Sequence, residues 1–150
     1  MYPRWHILYG FIFSLILYYF FEFSILASLI VFLSSFLFDV DHYLNYVIKK
    51  KDLNLRKAYL WNIKESYKLR ALSKKQKKES KIQFFLFHGI EFLIVLIVLS
   101  YFNVLFFWIF LGVLIHGILD QIHTVYVNNL WYSKFSEIHI LVRNKNKKEI

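Results

Sequence analysis

Five imidazoles and four carboxylates stand in or beside otherwise apolar sequence: His6, Asp39, Asp41, His42, His88, Glu91, His116, Asp120 and His123. Imidazole and carboxylate are the expected ligands of zinc, manganese or iron, and helical bundles build such sites from facing helices. The local spacing suits that chemistry. His88 and Glu91 are three residues apart, as are Asp39 and His42, while His116 and Asp120 are four apart and Asp120 and His123 three. Each set shares one face of a helix. A neutral pH favours ligation, because binding costs each imidazole and carboxyl its proton. Taken one at a time, bland readings compete: His6 beside Trp5 as an interfacial residue, "FDVDHY" as a solvated helix end, "FHGIE" as a buried pair. "LIHGILDQIH" (114–123) resists that reading, because two histidines and an aspartate lie along one stripe. The residue types therefore nominate His6, Asp39, His42, His88, His116 and Asp120 as metal ligands. Asp41 and Glu91 are the candidate catalytic carboxylates, and His123 is an outer supporting residue.

Those groups must be brought together by the elements carrying them. The 150-residue chain is 58% hydrophobic and 21% aromatic, with four glycines and one proline, which argues for helices in a single domain over 1–150. Having no cysteine, it has no disulfide, thiolate metal site or cysteine nucleophile. Apolar blocks run from about residue 2 to 40 and from about 82 to 119. Each would be about 57 Å long as one helix at about 1.5 Å per residue, against a bilayer core of about 30 Å. Reversals at "YFFEFS" (19–24) and "SYFNV" (100–104) turn each block into a hairpin. The expectation is an all-α integral membrane four-helix bundle, with spans of about 4–21, 23–40, 82–100 and 103–120. No cleavage-site pattern follows the first run, so it reads as a retained segment.

Charge placement extends that expectation. Thirteen of the 19 Lys and Arg lie from Lys49 to Lys81, and the two hairpin tips have none. By the positive-inside rule, both termini and the basic loop 43–81 are cytoplasmic, in a prokaryotic plasma membrane. Nine of ten ionisable groups near the apolar blocks then share one slab at that face, Glu22 at a hairpin tip being the exception. Within the loop, Leu60, Ile63, Tyr67 and Ala71 suggest an amphipathic helix on a membrane surface, with residues 49–81 meeting anionic lipids. The tail 121–150 reads as interfacial, with Trp131, Tyr132, Phe135 and Ile138. No recognition motif accompanies the basic charge, so specific nucleic-acid binding is not expected.

The order "WHILYG" (5–10), "FDVDHYLNY" (38–46), "FHGIEFLIVL" (87–96) and "LGVLIHGILDQIH" (111–123) resembles the membrane-bound metal-dependent hydrolases of bacteria and archaea. That group includes the LexA-regulated inner-membrane hydrolases and is distantly similar to zinc-dependent phospholipase C. The D-x-D-H and H-x-x-x-D elements carry most of the likeness. It implies a metal site drawn from His6, Asp39, Asp41, His42, His88, His116 and Asp120. The chain departs from the pattern in having Phe38 where proline is common, Phe87 and Gly89 flanking His88 where hydroxyls are common, and no upstream His-Arg pair.

The expected function is metal-dependent hydrolysis, with zinc first and manganese or iron as alternatives, on a phospholipid or another phosphoester. Two other classes use the same residues. A proton- or ion-coupled carrier would need polar groups to continue across the membrane, where only Glu22, Ser24 and Asn103 are available. A structural membrane protein would use buried His–carboxylate pairs only to hold helix register.

Overall fold

The computed structural model describes residues 3–128, 135–145 and 147. The first apolar block folds into α1 (Pro3–Phe20) and α2 (Ile25–Leu37). Glu22 at the reversal adopts a left-handed backbone (φ 55°), and the Ser24 side chain caps α2 by accepting from the Ala27 N–H at 3.2 Å. A tightened turn follows, in which Asp39, Asp41 and His42 each bond to the carbonyl three residues back. The chain then continues as α3 (Val40–Lys50), α4 (Leu55–Ala71) and the short α5 (Lys74–Glu79). The second block supplies α6 (Ile90–Ser100) and α7 (Val104–His123), with Asn103 capping α7 through the Leu105 N–H at 2.8 Å. A π-helical turn (Thr124–Asn128) extends α7, and α8 (Glu137–Asn144) closes the described chain.

Helix α2 is the centre of the packing, lying against both α1 and α7, and α6 packs on α7. Small residues permit that closeness. Ala27, Ser28, Ser34 and Ser35 are buried along α2. A β-carbon on Gly112 of α7 would lie 2.4 Å from the Val31 carbonyl oxygen, so only glycine allows α7 this near to α2. A second tier crosses the ends of these helices. The Asn62 amide of α4 donates to the His42 carbonyl at 3.3 Å, and α4 also touches the π turn. Helix α8 holds the irregular stretch before α6: Asn144 exchanges two bonds with Ile82 (3.0 and 2.7 Å), and Glu137 accepts from the Phe85 N–H at 3.2 Å. These side chains satisfy backbone groups that no helix or sheet serves.

This architecture corrects the expected fold class. Among the described residues there are eight α-helices and one π-helical segment in two tiers, rather than a simple four-span transmembrane bundle. Two helical stretches, Ile25–Lys50 (α2 running into α3) and Val104–Tyr126, are long and apolar enough to cross a bilayer. Helix α6 is too short at 11 residues, because residues 82–89 are not helical, and α1 starts with the polar Arg4 and His6. The assignment to the plasma membrane with both termini cytoplasmic depended on counting four spans, and it falls with that count. In the loop helix α4, Leu60, Tyr67 and Ala71 are exposed, while Ala58 is buried and Asn62, Ser66 and Arg70 are half-buried. Of the tail, Trp131 and Tyr132 lie outside the described residues. Phe135 and Ile138 are exposed, and Ile140 of α8 is fully buried.

Candidate metal centre

Six of the nine nominated residues converge, from four segments of chain. His6 comes from α1, Asp39 and His42 from the turn into α3, His88 from the loop before α6, and His116 and Asp120 from α7. The tight turn eclipses residues three apart, which brings His42 Nε2 to 3.6 Å from Asp39 Oδ1. Asp39 Oδ1 is also 3.7 Å from both His88 Nε2 and His116 Nε2. Asp120 spreads its oxygens, with Oδ1 3.3 Å from His6 Nε2 and Oδ2 3.8 Å from His88 Nε2. Three overlapping sets, His6–Asp39–His116, Asp39–His42–His88 and His88–His116–Asp120, each have donor atoms within 4.8 Å of one another. Donors bound to one ion at about 2.0–2.1 Å stand about 3.0–3.4 Å apart, close to these separations. The cluster can coordinate a divalent metal ion. Nitrogen and oxygen donors accommodate zinc, manganese and iron alike, so the donor set singles out none of the three expected metals.

The tautomers of two histidines follow from their surroundings. His116 Nδ1 lies 2.9 Å from the Ser35 carbonyl oxygen, which can only accept, so Nδ1 carries the proton. That carbonyl belongs to the last turn of α2, where carbonyls lack helical partners and the dipole is negative. His88 Nδ1 lies 2.9 Å from Asp41 Oδ2, which also accepts from the Phe87 N–H at 3.3 Å. Each ring therefore turns Nε2 inward, and the two Nε2 atoms face each other at 3.0 Å. Two lone pairs cannot stand so close unless a proton or a metal ion lies between them. Burial pushes the His116 imidazole down to about 4, against the pull of Asp39 and Asp120, which leaves it neutral near pH 7. Burial would raise the Asp39 carboxyl, but His88, His116 and His42 outweigh it and hold Asp39 well below the usual range.

The cluster is graded in depth. The His6 side chain is 0% exposed, those of His88, His116 and Asp120 are nearly so, and Asp39 and His42 are 15% and 27% exposed. Asp39 and His42 line a cavity of about 340 Å³. Its other walls include Asn62, Ser66 and Arg70, spaced four apart on α4, with Tyr59, Ile63, Phe85 and Lys81. His123 is there too, its Nε2 3.5 Å from an Arg70 nitrogen.

Glu91 is turned elsewhere. It accepts from the Ser136 hydroxyl and from the Glu137 and Ile138 N–H groups, at 3.1 and 3.3 Å for the latter two, and so caps α8. The helix begins at Ile90, so His88 and Glu91 do not share a helix face as their spacing suggested. Sequence reasoning missed the Ser35 carbonyl, for which no side-chain signal exists, and Arg70, whose signal was the polar stripe Asn62–Ser66–Arg70. No protein-family model, curated protein or solved structure matches this chain.

Proposed function

We propose that this protein is a metal-dependent hydrolase of phosphoesters, as its resemblance to the membrane-bound metal-dependent hydrolases implies. The observation that carries the reading is the pair of inward Nε2 atoms, 3.0 Å apart, with both Nδ1 protons held by outer acceptors. Carboxylate–histidine pairs such as Asp41–His88 orient metal-binding imidazoles and raise their basicity. A divalent ion held by His88, His116, Asp120 and Asp39 would supply Lewis-acid polarisation of a substrate oxygen.

The chain's own groups account for the rest. The cavity opens onto Asp39 and His42, the least buried members of the cluster. Arg70 and Lys81 give it cationic groups for a phosphate, and Tyr59, Ile63 and Phe85 give it apolar walls, a combination suited to an amphiphilic ester. His42, at this opening, would take or return a proton. Cationic side chains along residues 49–81 would meet anionic lipid, which could present such a substrate.

The test is elemental analysis of the purified full-length chain, with hydrolysis of bis(p-nitrophenyl) phosphate by the zinc-, manganese- or iron-loaded protein. Native protein should retain metal and turn over. A His116→Ala, Asp120→Ala double variant should lose both, with activity down by about 10³-fold or more. Folded native protein that holds no metal refutes the proposal.

A further inference from the structure

His6 is the member of the cluster that one ion leaves unexplained. It is fully buried, yet neither ring nitrogen has a hydrogen bond. Such orphans are rare in protein interiors and call for a specific cause. Its ring is stacked on His116, with centroids 4.0 Å apart and planes 18° from parallel. A metal lies in the plane of the imidazole that binds it, about 2.0–2.1 Å from the nitrogen. Stacked rings send their lone pairs along near-parallel lines, so one ion cannot sit in both planes at bonding distance. The contrast with His88 is direct: its ring stands 76° from that of His116, and their Nε2 atoms converge. His6 therefore cannot share the ion that His88 and His116 hold.

We infer that His6 belongs to a second divalent-metal site, joined to the first by Asp120. Asp120 already divides its oxygens, Oδ1 toward His6 and Oδ2 toward His88. A carboxylate bridging in this way holds two ions about 3.5–4 Å apart, the spacing of two-metal hydrolytic sites. Asp39 completes the second site: one of its carboxylate oxygens lies within 4.8 Å of a His6 ring nitrogen, and its Oδ2 has no hydrogen-bond partner.

The inference rests on the metal-binding reading above, and metal counting separates the two. The full-length chain is loaded with manganese, freed of excess ion, and analysed for manganese per chain and by low-temperature electron paramagnetic resonance. Two ions per chain with an exchange-coupled spectrum are expected. His6→Phe, which keeps the stacked ring, should hold one ion and give the spectrum of isolated manganese. One ion per native chain, or an uncoupled native spectrum, overturns the second site while leaving the first. A His6→Phe chain that still binds two ions overturns it equally, and no ion at all overturns both readings. Should His6→Phe fail to fold, the native spectrum alone decides.

Discussion

At the scale of single residues, the centre is built from who holds each proton. The Ser35 carbonyl and the Asp41 carboxylate occupy the Nδ1 sides of His116 and His88, so both Nε2 lone pairs point inward. On the proposed reading, Asp41 is a positioning residue, since it touches the outer side of the His88 ring. Asp41→Asn keeps the volume but can present an amide N–H to His88 Nδ1, which favours the opposite tautomer. We expect metal affinity to fall about 10- to 100-fold, measured by competition with a chromophoric chelator. Restoration by Asp41→Glu would tie the loss to the carboxylate, whereas an unchanged affinity in Asp41→Asn would remove Asp41 from this role. The types and the i, i+3 and i, i+4 spacings made the donors legible in the sequence. The acceptors behind them were not, since a backbone carbonyl leaves no trace in residue identity.

At the scale of elements, one boundary separates a site residue from a structural one. Helix α6 starts at Ile90, with Gly89 before it in an extended conformation (φ −89°, ψ 159°). A β-carbon on Gly89 would meet Glu91 Oε2 at 2.2 Å and Glu137 Cγ at 2.9 Å. His88, on the far side of that junction, is directed into the cluster, and Glu91 is directed to the N-terminus of α8. Its negative charge at that helix end is favourable, as is its capping of N–H groups there. Glu91→Ala should therefore lower stability by about 0.5–2 kcal/mol in denaturant titration while leaving metal content as in the native chain. Loss of metal with unchanged stability would return Glu91 to the centre. The sequence spacing could not distinguish these outcomes, because a shared face follows only when both residues lie in the same helix.

At the scale of the whole molecule, much of the outward surface is apolar. Trp5, Phe11, Ile12, Phe20, Ile25, Val98 and Phe102 are among many exposed apolar side chains on α1, α2, α6 and the turn from α6 to α7. Exposed apolar surface of sufficient extent marks a site of interaction with another surface. Helices α4 and α5 carry much of the basic segment 49–81. Vesicles of phosphatidylglycerol and phosphatidylcholine should co-sediment the full-length chain more strongly than phosphatidylcholine alone. The difference should shrink as salt rises from about 0.05 to 0.5 M, because screening shortens the reach of surface charge to several ångströms. Equal binding to both vesicles would remove the basic segment from that contact.

Sequence alone determined that the chain is helical, that two hairpins turn at Glu22 and Asn103, and that imidazoles and carboxylates are its chemical groups. Those properties are local, set by apolar runs, capping residues and residue type. It also suggested four equal spans, and there it misled, since continuous apolarity over 82–100 does not show that residues 82–89 leave the helix to satisfy their backbone on α8. Only the tertiary structure decided which donors meet. Small residues on α2 and Gly112 let α7 approach closely enough for His116 to reach the Ser35 carbonyl. That approach also stacks His116 on His6 and turns it to face His88, an arrangement of groups up to 110 residues apart (His6 to His116) that no local pattern encodes.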